Sequence, residues 1–143
     1  MIILIIVGGI GTVVGYLAKA PSTSSQDIVS TDGIHWHPHL SVVIKGQVQE
    51  IPVDIGLGVV EKPIHTHDAT GKIHLEFPSI VRKGDITLGQ FFKIWGKQFN
   101  SDCIFDYCNG QSGIMRMFVN SQPNQEFDHY VMGDGDQIEI RYE

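Results

Sequence analysis

The sequence predicts an α+β fold, a mixed sheet packed on one main helix, behind a separate apolar N-terminal segment. Three observations predict it. Several short segments alternate apolar and polar residues, the period of half-buried strands. One segment, Asp85 to Phe99, repeats its apolar residues with the helical period. The run from Met1 to Ala18 carries no charge.

That run, MIILIIVGGIGTVVGYLA, has the length of a helix that spans a hydrocarbon core. It is either a retained anchor or a signal peptide, because Ala18-Lys19-Ala20 resembles a small-x-small cleavage site. No basic residue precedes the apolar run, so residues 1–20 are read as a single transmembrane helix. Either way, the rest of the chain is directed to the extracytoplasmic side of a membrane. Gly11 and Gly15 form a small-residue face against which a second helix can pack, or which has no partner.

Residues 21–33, PSTSSQDIVSTDG, are polar and Ser/Thr-rich and read as a flexible linker. The folded domain is expected over residues 34–143. His39 to Val53 has β-branched residues on both sides of Lys45-Gly46, a hairpin signal. Lys72 to Phe77 alternates, with Ile73, Leu75 and Phe77 on one face and His74 and Glu76 on the other. In Asp85–Phe99, Leu88, Phe91, Phe92, Trp95 and Phe99 share one helix face. Thr87 and Gln90 have capping-box spacing, Ile86 and Phe91 that of a hydrophobic staple, and Gly96 is placed to end or kink the helix. Ile114–Asn120 and Gln137–Tyr142 read as closing strands. Between them Gly133-Asp134-Gly135-Asp136 is a turn, too poor in acidic ligands for a calcium loop.

Formal net charge is −6, and after Lys19 nine basic residues face sixteen acidic ones. Without a basic stripe, nucleic acid is excluded as a partner.

Six of the seven histidines lie between His35 and His74. They fall in three groups: His35-x-His37-x-His39, His65-x-His67 with Asp68 next, and His74-x-Glu76. Two-residue spacing on a strand turns each group to one face. Imidazole suits zinc, copper, nickel or iron, whereas calcium and magnesium take oxygen. The expected site is therefore a transition-metal centre, copper or zinc. Its candidate ligands are His35, His37, His39, His65, His67 and His74, with Asp68 and Glu76 orienting rings or replacing a ligand. A pH-sensitive patch and a solvated surface run are the alternatives. His129, isolated between Asp128 and Tyr130, reads as structural. Cys103 and Cys108 read as a disulfide closing a short loop, with a thiolate metal pair as the runner-up. A blue-copper site does not fit, because no His and Met follow Cys108 at loop spacing.

The segments IHWHPHLSVVIKGQVQEIPVDIG, PIHTHDATGKIHLEFP and TLGQFFKIWGKQF together resemble a largely uncharacterised family of membrane-anchored, His-rich extracytoplasmic proteins of archaea and bacteria. The resemblance covers most of the chain after Gly33 and is strongest to proteins of ammonia-oxidising archaea, whose energy metabolism depends on copper. It singles out His37, His39, His65, His67, Asp68, His74 and Glu76. Some members carry a Cys before the His-Thr-His-Asp motif, where this chain has Val59, Val60 and Glu61. The last quarter, MFVNSQ…YVMGDGDQIEIRY, resembles the closing half of ubiquitin-like β-grasp domains, which implies a β-grasp-like sheet. The chain ends Arg141-Tyr142-Glu143 instead of in the Gly-Gly tail of sulfur carriers.

Three functions are expected from these features. The first is a metal carrier or accessory protein binding copper or zinc at the membrane. The second is a zinc-dependent hydrolase or lyase with a three-histidine, water-bearing site and Asp68 or Glu76 as general base. The third is a structural accessory subunit of a larger membrane copper enzyme.

Overall fold

A computed structural model describes residues 25–143; the apolar run, with Gly11 and Gly15, lies outside the described residues. Among the described residues, no helix is long and apolar enough to cross a membrane. The strands in chain order are β1 (Ile28–Ser30), β2 (Ile34–Trp36), β3 (His39–Ile44), β4 (Gln47–Gln49), β5 (Ile64–His65), β6 (His74–Phe77) and β7 (Val81–Arg82). After helix α1 (Leu88–Trp95) come β8 (Cys103–Ile104), β9 (Tyr107–Cys108), β10 (Met115–Val119), β11 (Gln122–Asn124) and β12 (Gln137–Tyr142). This is a mixed α+β architecture.

Two sheets dominate the fold. The larger has five strands in the order β11-β10-β12-β3-β4, with β12 and β3 parallel at its centre. The smaller has three, β2-β6-β5, all antiparallel. Lys45 and Gly46 both take positive φ, 48° and 77°, as a two-residue hairpin turn between β3 and β4 requires.

One hydrophobic core joins these layers. Leu40, Val42, Ile138 and Ile140 from the larger sheet share it with Ile64 and Leu75 from the smaller and with Leu88, Phe91 and Phe92 of α1. Burying each such side chain stabilises by about 1.5–3 kcal/mol against leaving it in water.

The main helix is shorter than the periodicity predicts. Thr87 is its cap, with an extended backbone and a hydroxyl that accepts from the Gln90 N–H. Ahead of it, Lys83–Ile86 make a tighter 3₁₀ turn. The Gln90 side chain donates to the Gly84 carbonyl instead of closing a capping box. Gly96 ends the helix in the left-handed region at φ 75°. The N–H groups of Gly96 and Lys97 bond the Lys93 and Phe92 carbonyls, which closes the helix in a Schellman turn. Phe99 is therefore not helical: it is buried through a bridge to Ile104.

The chain also enters the fold earlier than the linker reading expects. β1, inside the Ser/Thr-rich stretch, pairs with β7. Polar composition hid three residues, Ile28-Val29-Ser30, that can pair as an edge strand.

Candidate metal centre

The smaller sheet builds the site. β6 runs down its middle, and its register sets His35 opposite Glu76 and His65 opposite His74. Alternation does the rest. Ile73, just before β6, and Leu75 within it turn into the core, so His74 and Glu76 turn out. On β2, Ile34 and Trp36 pack on the core, which puts His35 on the other face. Thr66 is buried between His65 and His67, so both imidazoles point away from it. Its hydroxyl donates to the Pro52 carbonyl and accepts from the Ile55 N–H, which ties this segment to the preceding loop.

Five imidazoles and one carboxylate meet on that face. Ring centroids lie 4.8 Å apart for His35–His37, 4.7 Å for His37–His74, 4.6 Å for His67–His74 and 4.7 Å for His65–His67. Glu76 Oε1 is 3.2 Å from His35 Nε2, 3.4 Å from His74 Nδ1 and 3.9 Å from His65 Nε2. Two sets of donor atoms, His35/His37/His74/Glu76 and His65/His67/His74/Glu76, each lie within 4.8 Å of one another and can hold a metal ion.

The geometry fixes one tautomer. His65 is fully buried, and its Nδ1–H donates to the Lys62 carbonyl at 2.8 Å. In the neutral ring Nε2 is then the lone-pair nitrogen, and it faces His67 Nε2 at 3.1 Å. A carbonyl that holds the far nitrogen of an imidazole protonated is the usual support of a metal-ligating histidine. The 3.1 Å separation is close to the roughly 3.3 Å edge of a tetrahedron with metal–nitrogen bonds of about 2.0–2.1 Å.

The charges are tuned by this crowding. Burial first, and then the neighbouring His37 and His67, hold His74 below the usual imidazole range, so it stays neutral and able to ligate. Its Nδ1 is buried without a hydrogen bond of normal geometry. For Glu76, partial burial opposes ionisation, but His35, His65 and the contact with His74 outweigh it and hold the carboxyl below its ordinary value.

Two expected members are not in this cluster. His39 leaves because the strand does not run through the whole of HWHPH. Pro38 has no N–H to continue a ladder, β2 ends at Trp36, and β3 begins at His39 in the other sheet. His39 Nε2–H donates to the Thr70 carbonyl at 2.6 Å and holds a loop. Asp68 is occupied as well. Its Oδ1 accepts from the Thr70 hydroxyl and, at 2.9 Å, from the Thr70 N–H. Those two bonds hold its carboxyl below the ordinary value.

Sequence reasoning missed the role of three residues of the site region. Glu61 Oε1 lies 3.5 Å from His65 Nε2, near the cluster's rim. Asp134 Oδ1 accepts from the His37 N–H at 2.8 Å, and the Asp136 carbonyl accepts from the His39 N–H at 2.8 Å. The Gly133–Asp136 turn thus pins the histidine run at His37 and His39. The i, i+4 spacing of Glu61 to His65 was the signal available for the first. Nothing local points to the other two.

Cys103 and Cys108 stand opposite each other across the β8–β9 hairpin and are joined as a disulfide. His129 is exposed beside Asp128 and lies outside the cluster. In comparisons with known proteins, no family model, no curated protein and no solved structure matches the chain.

Proposed function

We propose that this chain is a membrane-anchored, extracytoplasmic transition-metal-binding protein that carries or buffers copper or zinc. The observation that carries this reading is the fixed tautomer of His65 within a face of five imidazoles and one carboxylate. An all-imidazole face with a single carboxylate favours copper or zinc over oxygen-loving cations. His35 and His67 are exposed, so an ion held there stays within reach of a partner, which suits delivery. The anchor is the uncharged run Met1–Ala18. The resemblance to the membrane-anchored His-rich family belongs to the same proposal. So does the β-grasp-like reading, supported by the sheet order with its central parallel pair and one main helix.

A hydrolytic role is less well supported, because neither expected base is poised for proton transfer. Glu76 is held ionised among three imidazoles, and Asp68 is bound to Thr70. A carboxylate with a depressed pKa ligates well and abstracts protons poorly.

The test is metal content of the full untagged chain, purified in mild detergent, measured by plasma mass spectrometry beside a His37→Ala/His67→Ala variant. Copper or zinc in the parent and none in the variant is the expected result. A parent chain that is empty and takes up neither metal on titration overturns the reading and moves the structural-subunit role forward.

A further inference from the structure

Resting on the metal-binding reading, we infer that the site is binuclear: two divalent ions share Glu76, one at the β2 end of the sheet and one at the β5 end. The two donor sets together offer six donors: with Glu76 bridging, each ion would hold its own pair of imidazoles, and His74 would complete one of the two. Each has a private pair of imidazoles, His35 and His37 at one end, His65 and His67 at the other. They share only His74 and Glu76, both from the central strand.

One ion cannot use this set well. Six donors exceed the four that zinc or copper takes in such sites. His35 and His65 come from strands on opposite flanks of β6, with His37 and His67 just beyond the ends of those strands, and neighbouring strands are spaced by about 4.8 Å. His74 stands edge-on to a ring of each pair, 86° to His37 and 79° to His67. Its ring is 4.7 Å from His37 and 4.6 Å from His67 and stacks on His65 at 5.4 Å, so it is within reach of both halves.

A carboxylate is the natural bridge. It has two oxygens and one negative charge, and two-metal sites place their ions about 3.5–4 Å apart. Glu76 already contacts imidazoles from both ends through Oε1, His35 of one pair and His65 of the other, which leaves Oε2 as its second donor. Two dications bring four positive charges to this face, and Glu76 offsets one of them. Glu61, beside His65, supplies a second negative charge at the β5 end.

Zinc is titrated into the full untagged chain in mild detergent, with stoichiometry read by calorimetry and by metal content after desalting. Two equivalents are expected for the parent chain. One equivalent is expected for each of the half-site variants, His35→Ala/His37→Ala and His65→Ala/His67→Ala, with circular dichroism and denaturant midpoint confirming that both remain folded. Glu76→Gln, which keeps shape and loses charge, is expected to weaken the second equivalent at least tenfold. The parent loaded with two equivalents of copper(II) should show an electron paramagnetic resonance signal broadened by coupling between the ions. One equivalent in the parent chain overturns the binuclear inference while the metal-binding reading stands. No equivalent overturns both.

Discussion

The two sheets of this protein use the same alternation for opposite ends. In the five-stranded sheet, Leu40, Val42, Ile44, Ile138 and Ile140 are buried and stabilise the fold. In the three-stranded sheet, one face joins that core through Ile64 and Leu75, and the other gathers His35, His65, His74 and Glu76. The first sheet is long, with six-residue strands paired in parallel at its centre. The second has strands of two to four residues and is held in place from outside itself. Thr66 is bonded to the loop before it, and the Gly133–Asp136 turn fixes the histidine run. Stability and ligand chemistry are thus placed on different surfaces of one core. Rings crowded for metal are poor at stabilising anything by themselves, because close imidazoles repel once protonated.

The sharpest way to break this comparison is Phe91→Ala. Phe91 is fully buried under the helix, and the change is expected to cost about 3–5 kcal/mol in a denaturant titration. Metal stoichiometry of the protein that remains folded should not change. If it falls, core and site are not separable.

The converse change is His67→Ala. His67 is exposed, so metal-free stability should move by no more than about 0.5 kcal/mol. Zinc affinity should fall by about a hundredfold or more, read by competition with a chromophoric chelator; the same parent affinity in the variant would remove His67 from the site.

His39→Ala sharpens the boundary between the sheets. It removes one hydrogen bond to Thr70, a loss of about 0.5–1.5 kcal/mol in thermal or chemical unfolding. Its zinc affinity should stay within about threefold of the parent. A drop as large as that of His67→Ala would return His39 to the ligand set.

The smallest effect is the pH dependence of the metal-free protein. His74 titrates below its ordinary value of 6.5, so on acidification the unfolded chain takes up the proton first. Stability should therefore begin to fall as pH drops through about 6.5 and continue down to the lower folded-state value. Glu76, held below 4.5, adds the same sign at more acid pH. His74→Gln should flatten the first of these slopes, and an unchanged pH profile would show that His74 is not the group responsible.

Much of this architecture was legible in single residues. Thr87 and Gly96 mark the ends of α1, Lys45-Gly46 marks a hairpin, and the alternation in KIHLEF separates core from site. Where reading failed, a local rule met a non-local one. Phe99 has the helical period, but a left-handed glycine at 96 stops the helix first. His39 has the rhythm of His35 and His37, but Pro38 moves it into another sheet.

By itself, the sequence determined which side chains could bind a metal, and that His74 and Glu76 would share one face opposite Ile73 and Leu75, because residue type and period two are local properties. Only the tertiary structure decided which strands stand side by side. It set His35 across from Glu76 and His65 across from His74, brought Glu61 to the cluster, and removed His39 and Asp68 from it. Strand order and register depend on how distant segments share one core, and no spacing along the chain records that.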